Sequence, residues 1–137
     1  MNAIDTNVFV YRLDPIETTK RNAARRLTRQ LASAGETILI WQVAGELRSV
    51  LTSWRRQRII AAVDADRYFA AVRSLFPLIL PVEGVLDRAL DYAERYTLSH
   101  WDSMLVAACA EAGATTLYTE DMGAPRTIDA VELINPF

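Results

Sequence analysis

Short apolar runs rich in β-branched residues alternate with amphipathic stretches along this chain, and that alternation limits its possible folds more than any other feature. Residues 2 to 5, TILIW from Thr37, PLILPV from Pro77, TTLYT from Thr115 and VELIN from Val131 read as strands. Between the first two, Ala23, Ala24, Leu27, Leu31 and Ala34 recur at helical spacing from about Thr18, with Gly35 at the terminating place. A long helix follows TILIW, with Val43, Leu47, Val50, Leu51 and Trp54 on its apolar face. Within it Gly45 weakens the helix by about 1 kcal/mol relative to alanine and leaves room for another backbone or a substrate beside Glu46. Asp64 is placed to cap a helix carrying Tyr68, Phe69, Val72 and Leu75, and two more helices cover about Val85 to Tyr96 and Trp101 to Ala112, the last ended by Gly113. Only TNVFVYRL is open to either reading, because periodicity does not separate strand from helix there.

Strands joined through helices must pair parallel and bury both faces. The expected fold is therefore α/β: a three-layer sandwich with a central parallel sheet of about five strands flanked by helices. The chain of 137 residues fits one domain, 1–137, with a continuous core. Its hydrophobic fraction is 51% and its charged fraction 23%, and no apolar run approaches the roughly 20 residues of a membrane span. The first apolar stretch is short, lacks a basic leader and contains Asp5, so no export signal is expected. Cys109 is the only cysteine and excludes an internal disulfide; its apolar neighbours suggest a small buried hydrophobe. These features point to a cytoplasmic protein without membrane contact.

A net charge of −2 argues against holding nucleic acid by bulk positive charge. The cations are unevenly placed. Fourteen of the fifteen are arginines, clustered in KRNAARRLTR and WRRQR, with Lys20 the only lysine. Such strips are either solvated helix faces or forks of donors suited to phosphate.

In a parallel sheet, ligands bind beyond the carboxyl ends of the strands, near the point where strand order reverses. Asp5 and Asp121 fall at such ends, Glu46 lies in the helical run WQVAGELRSVL, and Asp102 opens WDSMLVAACAEAG. Singly, each acid also suits a structural job: Asp5 and Asp102 as helix caps, Glu46 as an exposed helix residue, Asp121 as a turn former. Jointly they suggest a site. Thr6 and Asn7 follow Asp5, while Thr119 and Glu120 precede Asp121, so hydroxyl and amide groups stand beside both strand-end acids. Two carboxylates about 4 Å apart repel by roughly 4 kcal/mol at an effective dielectric near 20, so converging acids require protons, cations or wide spacing. Mg2+, with Mn2+ as a substitute, prefers such oxygen donors. The chemistry it supports best is hydrolysis of a phosphodiester.

These residues occur in a recognisable order. IDTNVFVY, VAGEL, HWDSMLVAACAEAG, and LYTEDM followed by ELINPF together resemble the PIN-domain ribonucleases, and more closely their VapC-type toxins, over nearly the whole chain. The resemblance implies Asp5, Glu46, Asp102 and Asp121 as the catalytic, metal-binding acids, supported by Thr6, Asn7 and Thr119. Glu120 is adjacent to the better match at Asp121 and is a second claimant. It further implies Mg2+-dependent cleavage of RNA, a homodimer, and inhibition by a cognate antitoxin. The family often has a serine or threonine shortly before its helical acid, where this chain reads IWQVAGE, and the loop MGAPRT is short.

Ser99, His100 and Asp102 imitate a hydrolase triad, but near-neighbours at a helix start rarely place a histidine between nucleophile and acid. Trp41, Trp54 and Trp101 are expected to pack rather than stack on bases. Two other functional classes compete. A phosphate-handling receiver or phosphatase-like domain fits poorly, because the first lacks a late-strand lysine and the second would need an acid where Asn7 stands. A noncatalytic acidic module would differ from a metal enzyme in gaining no thermal stability from Mg2+.

Overall fold

A computed structural model describes all residues from Met1 to Phe137. In chain order the elements are β1 (Asn2–Ile4), α1 (Thr6–Tyr11), α2 (Thr18–Ala34), β2 (Thr37–Ile40), α3 (Trp41–Arg56), α4 (Ala62–Leu75), β3 (Leu78–Ile79), α5 (Gly84–Tyr96), α6 (His100–Glu111), β4 (Thr116–Tyr118), β5 (Arg126–Ile128) and β6 (Val131–Ile134). The run TNVFVYRL thus resolves as helix: Asp5 caps it, and Val8 and Phe9 are buried beneath it.

The sheet has the order β3-β2-β1-β4-β6-β5. Five strands are parallel: helices make the crossovers from β1 through β4, and β6 reaches its parallel place beside β4 by way of a loop and β5. The sixth is a correction. The end of the loop expected at MGAPRT forms β5, an antiparallel edge strand against β6 that a tight turn at Asp129 and Ala130 makes possible. Strand order reverses at β1, with β2 and β3 on one side and β4, β6 and β5 on the other. That reversal opens a crevice beyond the carboxyl ends of β1 and β4.

Helix α1 packs against both α2 and α3, and α3 against α4, while α5 and α6 pair with each other, giving the expected helical layers about the sheet. All four residues of β2 are buried, as suits a strand covered on both faces. Phe9, Leu39, Leu47, Leu117 and Leu133 form part of the continuous core. Gly35 ends α2 in the left-handed conformation, at φ 74°, where a side chain would be strained. Asp64 does not cap α4: Ala61 takes that position and Asp64 lies in the first turn, where its charge still favours the helix dipole. Cys109 is buried, and burial pushes its thiol up to about 12. No helix is long and apolar enough to cross a membrane.

Candidate active site

The parallel register of β1 and β4 aligns Ile4 with Tyr118, so Asp5 and Thr119 leave the sheet side by side. The Asp5 backbone N–H donates to the Tyr118 carbonyl at 2.9 Å, which carries the ladder one step past the strands. The Asp5 side chain is 6% exposed. Its Oδ1 accepts from the Thr6 N–H at 2.6 Å, and its Oδ2 accepts from the Thr119 hydroxyl at 2.7 Å. Thr119 Oγ1 in turn accepts the Asp121 N–H at 3.0 Å. Asn7 completes the bridge: its Nδ2 lies 3.1 Å from Asp121 Oδ2 and 3.4 Å from both Asp5 Oδ2 and Thr119 Oγ1. Five of the residues singled out in the sequence therefore sit in one network, with Thr6 joining Asp5 to the next acid.

That acid is Glu46. Because α3 starts directly after β2, its first turns stand at the same edge of the sheet. Glu46 Oε2 accepts from the Thr6 hydroxyl at 2.6 Å and Oε1 accepts from Gln42 Nε2 at 2.8 Å. Gln42, one helical turn before the acid, thus supplies Glu46 with a donor in a stretch, IWQVAGE, that has no hydroxyl. The same Nε2 donates to the Trp101 carbonyl at 3.1 Å and ties α3 to the start of α6. Asp102 is the third residue of α6 and is half-buried. It is not the cap: Ser99 is, its Oγ accepting the Asp102 N–H at 3.2 Å. The Asp102 carboxylate stands outside the network that joins the other three acids. The cap also removes Ser99 from any triad, and His100 is exposed, edge-on to Trp101.

Burial pushes the Asp5 carboxyl up from an ordinary 3.8 to about 6, against the pull of the Thr119 and Thr6 hydrogen bonds; the charges of Glu46 and Asp121 raise it further. A desolvated carboxylate beside two others is the electrostatic condition that a cation relieves. The donors are all hard oxygens, and buried Asn7 Oδ1 has no hydrogen-bond partner, which leaves one neutral acceptor free beside the acids. No three acidic, histidine or cysteine side chains converge into a ready-made cage.

Three other residues take partners or places that their local sequence did not foretell. Glu120 turns away from Asp121, its Oε1 accepting from the Tyr11 hydroxyl at 2.7 Å and its Oε2 from Lys20 Nζ at 2.8 Å. Trp41 and Trp101 do not pack into the core: they are 52% and 62% exposed, whereas Trp54 is half-buried. Each indole sits in the first turn of its helix, where the sheet edge supplies no covering layer. Together with Gln42, Leu80 and Val82, Trp41 and Trp101 line an open groove of about 580 Å3 that reaches one of the four acids, Glu46. Gly45 also lines it, with nothing within 4 Å of where a side chain would start. Neither the exposed indoles nor the partners of Glu120 had a signal in the pattern of apolar residues.

The model of one family, the PIN domain, matches residues 3–129. The chain belongs to the PIN domain family. Solved structures carry the same PIN fold along their whole length. FitAcB from Neisseria gonorrhoeae aligns with a TM-score of 0.71 at 18% identity, covering 99% of this chain and 98% of that one. A toxin-antitoxin complex from Klebsiella pneumoniae aligns at 0.68 and 15% identity, covering 100% and 98%. VapC20 from Mycobacterium tuberculosis, described as a sarcin-ricin loop cleaving toxin, aligns at 0.63 and 16% identity, covering 94% and 98%. At these identities the likeness is one of fold. No curated protein matches this PIN-domain chain in sequence.

Proposed function

We propose that this PIN-domain protein is a Mg2+-dependent endoribonuclease, the toxin of a VapBC-type toxin-antitoxin pair. The observation that carries the reading is the strand-end pair Asp5 and Asp121, bridged by Asn7 and Thr119 at the point where strand order reverses. Asp5, Asp121, Glu46 and Asp102 are the residues that would hold the cation, with Mn2+ as a substitute. When bound, it supplies Lewis-acid polarisation of the scissile phosphate and of the attacking water.

The chain's own groups do the rest. Thr119 and Asn7 hold Asp5 and Asp121 in fixed relation, so little reorganisation accompanies the reaction. Thr6 and Gln42 occupy both oxygens of Glu46 and fix its plane. Asp102, free of such partners, is the carboxylate available to take the proton lost by water as its oxygen attacks phosphorus. The bond from phosphorus to the ribose oxygen opposite breaks, and that oxygen takes a proton from solvent water to leave as a hydroxyl. Exposed arginines on α2, including Arg26 and Arg29, offer donors to the RNA backbone.

In the same reading two copies of the chain form a homodimer and an antitoxin silences the enzyme. An antitoxin arginine entering the acidic mouth would complement paired carboxylates bidentately and displace both cation and RNA. If antitoxin binds equally well after Asp5 and Asp121 are neutralised, the acids are not its main contact.

The decisive experiment is incubation of total RNA with the protein and Mg2+, with new ends mapped by sequencing and Asp102→Asn as the control. Discrete ends that the variant does not produce are expected. No discrete ends with either Mg2+ or Mn2+ would favour the noncatalytic acidic module.

A further inference from the structure

The only lysine of the chain is spent on one interaction, and that interaction abuts the candidate site. Lys20, in the first turn of α2, donates to Glu120 Oε2 at 2.8 Å and to the Tyr11 hydroxyl at 3.3 Å. Its ammonium also stands 4.7 Å from the centre of the Tyr11 ring and 5.7 Å from that of Phe137. Tyr11 closes the triangle by donating to Glu120 Oε1 and packs edge-on against Phe137 with ring centres 5.0 Å apart. Both Glu120 oxygens are therefore held from one side.

The arrangement bears on Asp121. Three consecutive residues after β4 are each tied back to the first motif: Thr119 to Asp5, Glu120 to Tyr11, Asp121 to Asn7. Asn7 and Tyr11 are four residues apart in α1 and share a face of it. The loop they hold is not relaxed by itself, because Met122 and Gly123 are both left-handed, at φ 58° and 71°. A non-glycine residue in that region needs its surroundings to keep it there. Arg126 holds the far side, donating to the Met122 carbonyl at 3.3 Å.

We infer that Lys20 is a positioning residue, which through Glu120 and Tyr11 fixes the loop bearing Asp121 and thereby sets the site's affinity for divalent cation. The inference rests on the metal site proposed above. Its sign separates it from a simple charge effect. If Lys20 acted only through its field, removing the positive charge would tighten cation binding. If it acts by position, removal loosens binding although the site becomes more negative.

The test is calorimetric titration of the intact protein with Mn2+, without RNA. Lys20→Met combined with Glu120→Gln deletes the ion pair at no change in net charge, and should weaken binding roughly tenfold, the lower end of what lost supporting contacts cost a metal site. Lys20→Met alone should also weaken it, and Lys20→Arg should restore most of the loss. Thermal unfolding without metal establishes that each variant is folded, and Tyr11→Phe, which keeps the packing and removes one bond, should fall between wild type and the double variant. Tighter Mn2+ binding in Lys20→Met, or unchanged affinity in the folded double variant, overturns the role of Lys20 alone. Failure of the wild-type protein to bind Mn2+ overturns the metal site and this inference together.

Discussion

The two halves of the candidate site are held in different ways. Asp5 directly follows β1 and is set against Thr119 by the β1–β4 ladder, and Asp121, three residues past β4, is tied to that frame by Thr119 and Asn7. Glu46 and Asp102 ride on the first turns of α3 and α6, and the link between those helices at this edge is Gln42. Asp5 inherits the rigidity of the sheet, and Asp121 takes it at second hand through those bonds. A helix-borne acid depends on how two helices dock, and beside it lies an open groove rather than packed core. In the proposed reading all four acids hold the cation, the strand half as its rigid anchor and the helix half as the side that adapts to the substrate.

The largest effect that would break this division concerns cleavage itself. Asp121→Asn should reduce the rate of RNA cleavage roughly a thousandfold, equivalent to about 4 kcal/mol of lost charge stabilisation. Cleavage within tenfold of wild type would remove Asp121 from the anchor and with it the argument from strand order.

A smaller effect is expected in stability against pH. Asp5 is held neutral in the fold up to about 6 rather than the ordinary 3.8. A raised folded value means stability that is fully present below the ordinary value and lost as pH rises through the folded one. Metal-free protein should therefore lose up to about 3 kcal/mol relative to Asp5→Asn between pH 4 and pH 6.5, and Mg2+ at pH 7.5 should return much of it. Chemical denaturation of the two proteins across that range checks this, and parallel profiles would mean that burial does not hold the Asp5 carboxyl neutral.

The smallest effects sharpen the contrast most directly. Asn7→Ala removes the bridge of the strand half and should weaken Mn2+ binding about 10- to 100-fold. Gln42→Ala removes two bonds of the helix half, each worth about 1 kcal/mol. It should change Mn2+ affinity less than threefold while raising KM for RNA. Equal losses of metal affinity in the two variants would show one rigid site rather than two halves.

Much of this was legible along the chain. Alternating strand and helix signals lead to a parallel sheet, and a parallel sheet puts Asp5 and Asp121 at its carboxyl edge. Helix α2 is legible end to end because its apolar spacing and Gly35 agree. β5 was not, since RTI carries no more strand signal than a loop and is extended only because β6 offers it an unpaired edge. Taken singly, Asp102 suited a helix cap as well as a site; Ser99, three residues earlier, takes the cap position and leaves the Asp102 carboxylate free. The tryptophans were misjudged for a related reason. Apolarity favours burial on average, but whether a surface exists to cover Trp41 and Trp101 depends on where the layers end.

By itself the sequence determined the order of elements, the parallel pairing of most strands, and the kinds of atom available at their ends, because propensity and periodicity are local. Only the tertiary structure decided which of those atoms meet. Thr119 reaches Asp5 across 114 positions, Glu46 takes Thr6 and Gln42 as partners, and Glu120 turns from the acids to Lys20. Such pairings follow from strand register and helix docking, which are collective outcomes of burying one continuous core and leave no trace in any single stretch of residues.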